Sequence, residues 1–307
     1  MSVPLSLLEN LPRRARIVRA LRETLDAAGF VEVETPVRIP APANEPHILP
    51  PPSGGAFLRA SPELQMKRLL AAGLGRIYQI GPCFRQGERG ARHAPEFTML
   101  EWYRAPGGWL EILDDCEALV RAAARAVLDG GRAAWRGEPI DLDAPWERIP
   151  VREAYRRWAG WDPAEHWDAA RFDEDMALRI ESSLPRDRAC VLLGYPRQAA
   201  SLARLSPEDD RIAERWEAYL GGMELANAFG ELTDAGEQRR RFEAARAEKI
   251  AAGEPPMPLD GAFLDELPNI PSAGGAALGV DRLAMVLLDA AEIDAVRAFL
   301  PPVGGLW

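Results

Sequence analysis

Cysteine and histidine are scarce in this sequence, and it has no long apolar run. Its 307 residues include three cysteines and three histidines. The cysteines (Cys83, Cys116 and Cys190) are odd in number and widely spaced, which argues against a disulfide framework or a zinc site. No apolar run approaches the roughly 20 residues that span a bilayer, and the first residues do not read as a signal peptide. We therefore expect a cytoplasmic protein without a membrane segment.

Positive charge is also in the minority. The net charge is −10, from 37 basic and 47 acidic side chains. Nucleic-acid-binding proteins usually carry a basic domain or stripe, because neutralised phosphates supply most of their affinity. The acidic balance disfavours an RNA partner without excluding one. Hydrophobic residues at 47% and charged residues at 27% indicate a folded globular chain.

Two β-rich segments, 76–84 and 96–104, flank a charged loop that contains glycine. This arrangement predicts a hairpin with a long loop. The loop concentrates Arg85, Arg89 and His93, and arginine offers a planar fork of donors that matches phosphate oxygens. The hairpin therefore suits a polyphosphate, although a solvated loop of mixed charge is the plainer interpretation.

On the second strand of this hairpin, Glu101 and Tyr103 share a face, because side chains alternate along a strand. A buried carboxylate beside a phenol is costly unless a cation or a hydrogen bond meets it. We favour a pocket for an amine; the alternative is that Glu101 pairs with Arg104. Upstream, Ser61, Pro62 and Glu63 are typical of a helix start, with serine as N-cap, proline at N1 and an acid in the first turn.

Glu224 and Glu231 lie seven positions apart, which places them on opposite faces of an uninterrupted strand. For both to meet one ion, the strand must contain a bulge or turn between them, and we predict such a break. Further on, a Gly/Ala-rich strand leads into a helix that carries Arg282 in its first turn. The helix dipole favours anions there, so a ligand is the better reason for a cation.

The remaining pattern predicts helices over 12–28, 110–128 and 206–220, the last from an S-x-x-D capping signature. Residues 30–35 alternate as a strand. Residues 38–56 read as loop, in which 44–47 lie near the site and His47 has no catalytic role. Tryptophans and prolines at about 130–196 predict a packed helical insertion whose role stays open.

Four stretches together resemble the class II aminoacyl-tRNA synthetases, in the form found in lysyl-tRNA synthetases. They are GFVEVETP at 29–36, CFRQGERGARHAPEFTMLEWYR at 83–104, GMELANAFGELTD at 222–234 and GAALGVDRL at 275–283. The sequence is most similar to the EpmA (GenX, PoxA) family, the lysyl-tRNA synthetase paralogues that modify elongation factor P. The resemblance covers nearly the whole chain.

The resemblance implies an α+β fold, the class II core, with an antiparallel sheet flanked by helices. We expect one catalytic domain over 1–307 without the OB-fold that reads an anticodon, so that tRNA is not the partner. In this family the helix and strand of 12–35 form the interface of a homodimer.

The resemblance also assigns site residues. Arg85 and Arg282 are the expected catalytic residues, and Glu224 and Glu231 the expected Mg²⁺ ligands. The expected ATP-binding residues are Arg85, Gln86, Glu88, His93, Glu224, Leu225, Gly279 and Arg282. The expected amino-acid-binding residues are Ser61, Glu63, Glu101, Tyr103, Glu231 and Ala277.

The implied activity is an ATP-dependent, AMP-forming ligase that joins (R)-β-lysine, or lysine, to a lysine of elongation factor P. Four positions depart from the family. Gly87 stands where the family has a glutamate, with Glu88 one place later, and Ala94 replaces an asparagine. Ala228 and Gly230 stand where relatives usually carry glycine and histidine. Ala277 matches the EpmA family, whereas lysyl-tRNA synthetases have glycine there, and this favours β-lysine. Two alternatives remain: an adenylate-forming ligase acting on a small amine or ammonia, and a catalytically silent regulatory paralogue.

Overall fold

The structure is a computed structural model that describes residues 4–46 and 48–300, so His47 lies outside the described residues. None of the described helices is long and apolar enough to cross a bilayer. The helices are α1 (Leu5–Ala27), α2 (Glu63–Ala71), α3 (Trp109–Val127), α4 (Val151–Trp158), α5 (Ala169–Asp175), α6 (Glu181–Ser183), α7 (Ala235–Ala251), α8 (Gly261–Glu266) and α9 (Val280–Leu287).

One large sheet organises the molecule. The strands are β1 (Val31–Glu32), β2 (Arg38–Ile39), β3 (Pro52–Ser53), β4 (Ala56–Leu58), β5 (Arg76–Phe84), β6 (Glu96–Arg104), β7 (Arg132–Trp135), β8 (Glu138–Asp141), β9 (Glu147–Pro150), β10 (Ala189–Pro196), β11 (Ile212–Leu220), β12 (Met223–Gly230) and β13 (Gly274–Gly279). The main sheet has the order β1-β5-β6-β13-β12-β11-β10-β9. Its inner strands pair antiparallel, whereas β1 and β9 pair parallel at the edges. The predicted α+β class is confirmed, with a mixed rather than wholly antiparallel sheet.

The two faces of this sheet have different roles, because side chains alternate along each strand. One face is apolar and packs against α1, α3 and α9. The register aligns Tyr78, Trp102, Ala276, Ala228 and Trp216 across five strands of that face. Small residues on β12 and β13 let the helices approach closely. The opposite face carries the polar residues of the site.

The hairpin is confirmed, since β5 and β6 have the predicted bounds. The first helix begins earlier than predicted, at Leu5, and contains Pro12. It ends where expected, with Gly29 at a φ of 78°, a conformation that glycine adopts without strain. The following strand is shorter than predicted, because only Val31 and Glu32 pair with β5.

The predicted helix over 206–220 is wrong, because most of that range forms strand β11. The supposed capping residues form tight turns instead. Ser206 Oγ accepts a hydrogen bond from the Glu208 amide, and Asp209 accepts one from the Arg211 amide. Serine and aspartate stabilise such turns as readily as helix starts. The alternation of residues 215–220 was the better guide to the strand.

The predicted helical insertion at about 130–196 is wrong in its secondary structure. It contains the β7–β8 hairpin as well as helices, and its strands β9 and β10 extend the main sheet. Its aromatic residues form a cluster of their own. Tyr155 stacks on Phe172 with ring centroids 4.8 Å apart, and Trp161 meets Tyr155 edge-on. Aromatic packing of this kind does not specify a helix.

Candidate active site

The polar face of the sheet presents two adjacent rows of side chains. Register places Gln79, Glu101, Ala277, Asn227 and Glu217 in one row across β5, β6, β13, β12 and β11. The next row contains Tyr103, Gly275, Phe229 and Arg215. Ala277 therefore lies directly between Glu101 and Asn227. The sequence prediction did not include four residues of these rows, although side-chain alternation would have identified them once β11 was recognised as a strand. These residues are Asn227, Phe229, Glu217 and Arg215.

Ser61, Glu101 and Tyr103 form a hydrogen-bonded group at one end of this face. The hydroxyl groups of Ser61 and Tyr103 donate to the two oxygens of Glu101, at 2.7 and 2.5 Å. Burial, followed by repulsion from Glu63, raises the pKa of Glu101 to about 8. The alternative partner Arg104 is excluded, because it pairs with Asp115 at 2.5 Å. Ser61 Oγ also accepts a hydrogen bond from the Glu63 amide at 3.0 Å. Ser61 therefore caps the start of α2, although Pro62 occupies the N-cap position itself.

A fully buried lysine joins two more acids of the prediction. Lys67 Nζ lies 2.5 Å from Glu63 Oε1 and 2.5 Å from Glu231 Oε2. Burial of the carboxyl raises the pKa of Glu231 to about 7, although Lys67 opposes that effect. The two glutamates hold the pKa of Lys67 above its usual value despite burial. The sequence prediction missed Lys67, whose spacing of four from Glu63 on a helix was a usable signal.

Gly275 explains why Tyr103 and Glu231 can meet. A Cβ atom at this position would overlap the Tyr103 ring and the Glu231 carboxylate. The glycine is therefore required by the side chains of the pocket, whereas a Cβ at Gly279 would make only ordinary contacts with Arg282.

A second group gathers near the start of α9. Arg282 donates to the Glu224 side chain at 2.9 Å and lies 2.6 Å from His93 Nε2. Burial and the neighbouring arginines lower the pKa of His93. The preceding Asp281 is buried and accepts from Arg14 and from the Thr98 amide, each at 2.7 Å. Asp281 thus fixes the helix start, from which Arg282 reaches the polar face.

The hairpin loop completes this second group. The Arg85 guanidinium lies 5.2 Å from the centroid of the Phe97 ring and 3.8 Å from Glu88. Its Nε atom is buried without a hydrogen-bond partner among the described residues. The Gln86 amide donates to the Leu49 carbonyl at 2.8 Å. Gly87 has a φ of 80° at the tip, and Ala94 is buried in the core.

The predicted break between Glu224 and Glu231 exists. Ala218 pairs with Ala226 and Tyr219 pairs with Glu224, so Leu225 is an extra, bulged residue. Because of this extra residue, the Glu224 side chain lies on the same face of the sheet as the side chains of Asn227 and Phe229. The side chain of Leu225 is buried in the core, which leaves only its backbone for a ligand.

Glu224 and Glu231 nevertheless do not come together. The strand continues through residue 230, and at about 3.3 Å per residue the two acids are roughly 20 Å apart. Two glutamate side chains cannot bridge that distance to one Mg²⁺, whose ligands lie at about 2.1 Å. The predicted metal pair is therefore wrong, because a bulge changes the facing of a strand without reversing its direction.

Glu217 is the acid that the register brings beside Glu224. The two occupy neighbouring strands one same-face position apart, a diagonal relation of roughly 7–8 Å. Glu217 accepts from Arg215, Tyr195 and Tyr219 at 2.5, 2.6 and 2.8 Å. A carboxylate offers about four acceptor positions, so one remains for a cation. Burial raises the pKa of Glu181, and repulsion from Glu224 and Glu217 raises it further.

A family model described as tRNA synthetases class II (D, K and N) matches residues 5–301. The chain belongs to this class II synthetase family. Three of the four stretches that carry the resemblance, namely the hairpin, strand β12 and the β13–α9 junction, contribute residues to the two groups described above, and α2 contributes Glu63 and Lys67. The protein is accordingly a ligase, with the α+β core of the class II enzymes.

Curated relatives of this class II ligase fall into two groups. An elongation factor P–(R)-β-lysine ligase from Erwinia tasmaniensis is 38% identical, with 96% of each chain covered. The one from Yersinia enterocolitica is 36% identical over 98% of this chain and 97% of its own. A lysine–tRNA ligase from Moorella thermoacetica is 38% identical over 93% of this chain and 64% of its own.

Proposed function

We propose that this class II ligase activates (R)-β-lysine, or lysine, with ATP as an aminoacyl adenylate and transfers it to a lysine of elongation factor P. One observation carries the proposal. A buried acidic pocket and a group of cations lie on the same face of one sheet. The first suits an amino acid with a cationic side chain, and the second suits a triphosphate.

The acidic pocket contains more carboxyl groups than cations. Three buried carboxylates, Glu63, Glu101 and Glu231, face a single buried ammonium, that of Lys67. An uncompensated buried carboxylate is costly, and a cationic ligand removes that cost. Ser61 and Tyr103 hold Glu101 in place by hydrogen bonds, which supports a rigid receptor for an ammonium group.

The cationic group supports binding of ATP. Arg85 would contact the α-phosphate, while His93 and Arg282 would reach the outer phosphates. The stacking of Arg85 on Phe97 leaves the edge of its guanidinium for hydrogen bonds. Gln86, Glu88, Leu225 and Gly279 line the same region through the hairpin loop, the bulge and the β13–α9 junction.

Magnesium fits this region through Glu217 and Glu224. Among the described residues, no cluster of three or more acids, histidines or cysteines could hold a metal ion. A pair of carboxylates is sufficient for Mg²⁺ at a nucleotide, because phosphates and water complete its shell. The ion would neutralise phosphate charge and orient the pyrophosphate leaving group.

The chemistry proceeds in two steps. The substrate carboxylate attacks the α-phosphorus of ATP, forming a carboxyl–phosphate bond while pyrophosphate leaves with the electron pair. The neutral amine of the acceptor lysine then attacks the acyl carbon; AMP departs with the electron pair of the broken acyl–oxygen bond, and the amine nitrogen loses a proton to solvent as the amide forms. No enzyme nucleophile is needed, so Arg85 and Arg282 act by positioning and charge stabilisation.

Elongation factor P is the proposed acceptor because the relatives named for it correspond to this chain over nearly their full lengths. Ala277 supports (R)-β-lysine as substrate. Its methyl group lies on the pocket floor between Glu101 and Asn227. We expect Ala277→Gly to shift the preference toward α-lysine in kcat/KM; an unchanged β/α ratio would rule out this role for the methyl group.

The proposal extends to a homodimer in the cytoplasm. Large apolar side chains are exposed on α1 and β1, where Leu5, Leu8 and Val31 are 77%, 53% and 54% exposed. A second copy that covers them would remove this surface from water. The three cysteines are free and buried, as in a reducing compartment.

The test combines ATP–pyrophosphate exchange with transfer of labelled amino acid. We expect exchange with (R)-β-lysine, and transfer to elongation factor P but not to a variant that lacks the acceptor lysine. Exchange followed by amide formation with ammonia or a small amine alone would identify the small-amine ligase instead. A folded protein that exchanges with no amino acid would be the silent paralogue.

A further inference from the structure

A loop that the mechanism above does not use lies beside the pocket. Residues 42–46 and 48–51 contain no helix or strand, yet three different parts of the fold hold this loop. Asn44 Nδ2 donates to the Pro258 carbonyl at 3.2 Å, Lys249 of α7 donates to the Ile48 carbonyl, and the Gln86 amide donates to the Leu49 carbonyl at 2.8 Å. The loop is thus fixed on both sides of Glu45.

The Glu45 carboxylate is oriented by a serine in an unusual conformation. Ser201 Oγ donates to Glu45 Oε2 at 3.0 Å, and Ser201 has a φ of 49°. Few residues other than glycine adopt this left-handed region, and they do so where the surroundings enforce it. Here Arg241 donates to the Ser201 carbonyl at 2.8 Å. The fold therefore maintains a strained backbone that aims a donor at Glu45.

Glu45 lies near the polar face of the sheet, because its partner Ser201 follows Ala199, whose carbonyl accepts from Arg215 at 2.6 Å. Its carboxylate interacts electrostatically with Glu63 of the acidic pocket and with Arg85 and Arg215. Burial, followed by repulsion from Glu63, raises the pKa of Glu45. Ser201 provides the only hydrogen bond to this carboxylate within the described ranges. Two carboxylates that repel each other create a region where an ammonium group is favoured.

We propose that Glu45, together with Glu63, binds the substrate amino group nearest the reacting carboxylate, and so determines specificity for a diamino acid. The inference rests on the proposed function. Arg85 would lie at the α-phosphate, where the carboxylate reacts. Glu45 interacts electrostatically with Arg85 and with Glu63, and its loop is bonded to the neighbour of Arg85 through the Gln86 amide and the Leu49 carbonyl. The distal ammonium then occupies the deeper region of Glu101, Tyr103 and Glu231. Glu45 and Glu63 are left for the proximal amino group.

The test removes one charge from the enzyme and one amino group from the substrate. Exchange kinetics are measured for the wild type and Glu45→Gln with (R)-β-lysine and with 6-aminohexanoic acid, which keeps the carboxylate and the distal amine. Loss of one charged hydrogen bond should lower kcat/KM for (R)-β-lysine by about tenfold to a hundredfold. The value for 6-aminohexanoic acid should change by less than about twofold, because its proximal amino group is missing.

Two further variants sharpen the comparison. Ser201→Ala removes only the orienting hydroxyl and should give a smaller loss in the same substrate-dependent pattern. Glu243→Gln makes the same chemical change at an exposed position of α7 and should leave both substrates unaffected. Folding of each variant is verified by its thermal unfolding transition.

The outcomes separate this inference from the proposed function. If wild-type protein exchanges with neither substrate, the proposed function fails. If it exchanges and Glu45→Gln weakens both substrates equally, or raises KM for ATP alone, Glu45 acts on Arg85 and the inference is overturned. Unchanged kinetics in Glu45→Gln would overturn it as well.

Discussion

At the scale of single residues, Lys67 is the buried cation on which the acidic pocket depends. Removing it by Lys67→Met would leave Glu63 and Glu231 buried without a partner. We expect the free energy of unfolding to fall by about 3–5 kcal/mol at pH 8, measured by denaturant titration. The neighbouring pair of Arg68 and Glu266 is 39% exposed on each side, so Arg68→Met should cost under about 1 kcal/mol.

The cost of Lys67→Met should also depend on pH. A carboxyl whose folded pKa lies above its unfolded value binds more protons when folded, so its folded state loses stability as pH rises through that range. Because the pKa of Glu231 is already raised to about 7, the deficit should be largest at pH 8 and smaller at pH 5.5. A deficit that is equal at the two values would show that Lys67 stabilises by packing rather than charge.

Glu101 predicts a pH dependence of substrate binding. With its pKa raised to about 8, Glu101 is mostly protonated in the free enzyme at pH 6 and mostly ionised above pH 8. A cationic amino acid binds the ionised form better. The KM for the amino acid in pyrophosphate exchange should therefore fall by roughly tenfold to a hundredfold between pH 6 and 8.5.

The control for this dependence is Glu101→Gln, which cannot ionise. It should have a higher KM that changes little with pH. A wild-type KM that stays constant from pH 6 to 8.5 would mean that Glu101 does not receive the substrate cation.

At the scale of elements, the register between β11 and β12 decides which acids can share a metal ion. Glu217→Gln should raise the Mg²⁺ concentration needed for half-maximal exchange, because it removes one ligand of the proposed pair. Glu231→Gln should raise KM for the amino acid instead and leave the Mg²⁺ requirement unchanged. The reverse pattern would restore the metal pair expected from the sequence.

The elements also show how far sequence can predict this site. The β5–β6 hairpin was predictable to the residue, because its strands are apolar and its loop is highly charged. The shared face of Glu101 and Tyr103 followed from parity alone. β11 was not predictable from its start, since turn-forming Ser206 and Asp209 resemble a helix cap.

Two features of the site depend on contacts that are distant in sequence. Lys67 and Glu231 are separated by 164 positions along the chain, and only the packing of α2 on the sheet joins them. Glu217 lies near Glu224 only because the bulged residue Leu225 sets the pairing register between β11 and β12. Local patterns contain neither the packing nor the register, so these assignments required the structure.

At the scale of the whole molecule, the exposed apolar residues of α1 and β1 predict a dimer. Leu8→Glu would place a charge in the covered interface, and we expect it to shift the protein from dimer to monomer in analytical ultracentrifugation. Leu178 is also exposed, at 66%, but lies outside α1 and β1, so Leu178→Glu should leave the dimer intact. A wild-type protein that is monomeric at micromolar concentration would refute the dimer.

Site residues and core residues alternate along the central strands, and this alternation limits how such an enzyme can change over evolution. Along β11, the site residues Arg215, Glu217 and Tyr219 alternate with core residues Trp216, Ala218 and Leu220. Substitutions at site positions can alter the substrate while the hydrophobic interior stays intact. An inserted or deleted residue exchanges the two sets, so it removes ligand binding and stability together unless a bulge absorbs it, as at Leu225. New specificities in this scaffold are therefore accessible by replacement of residues, whereas changes of length are confined to the loops and to such bulges.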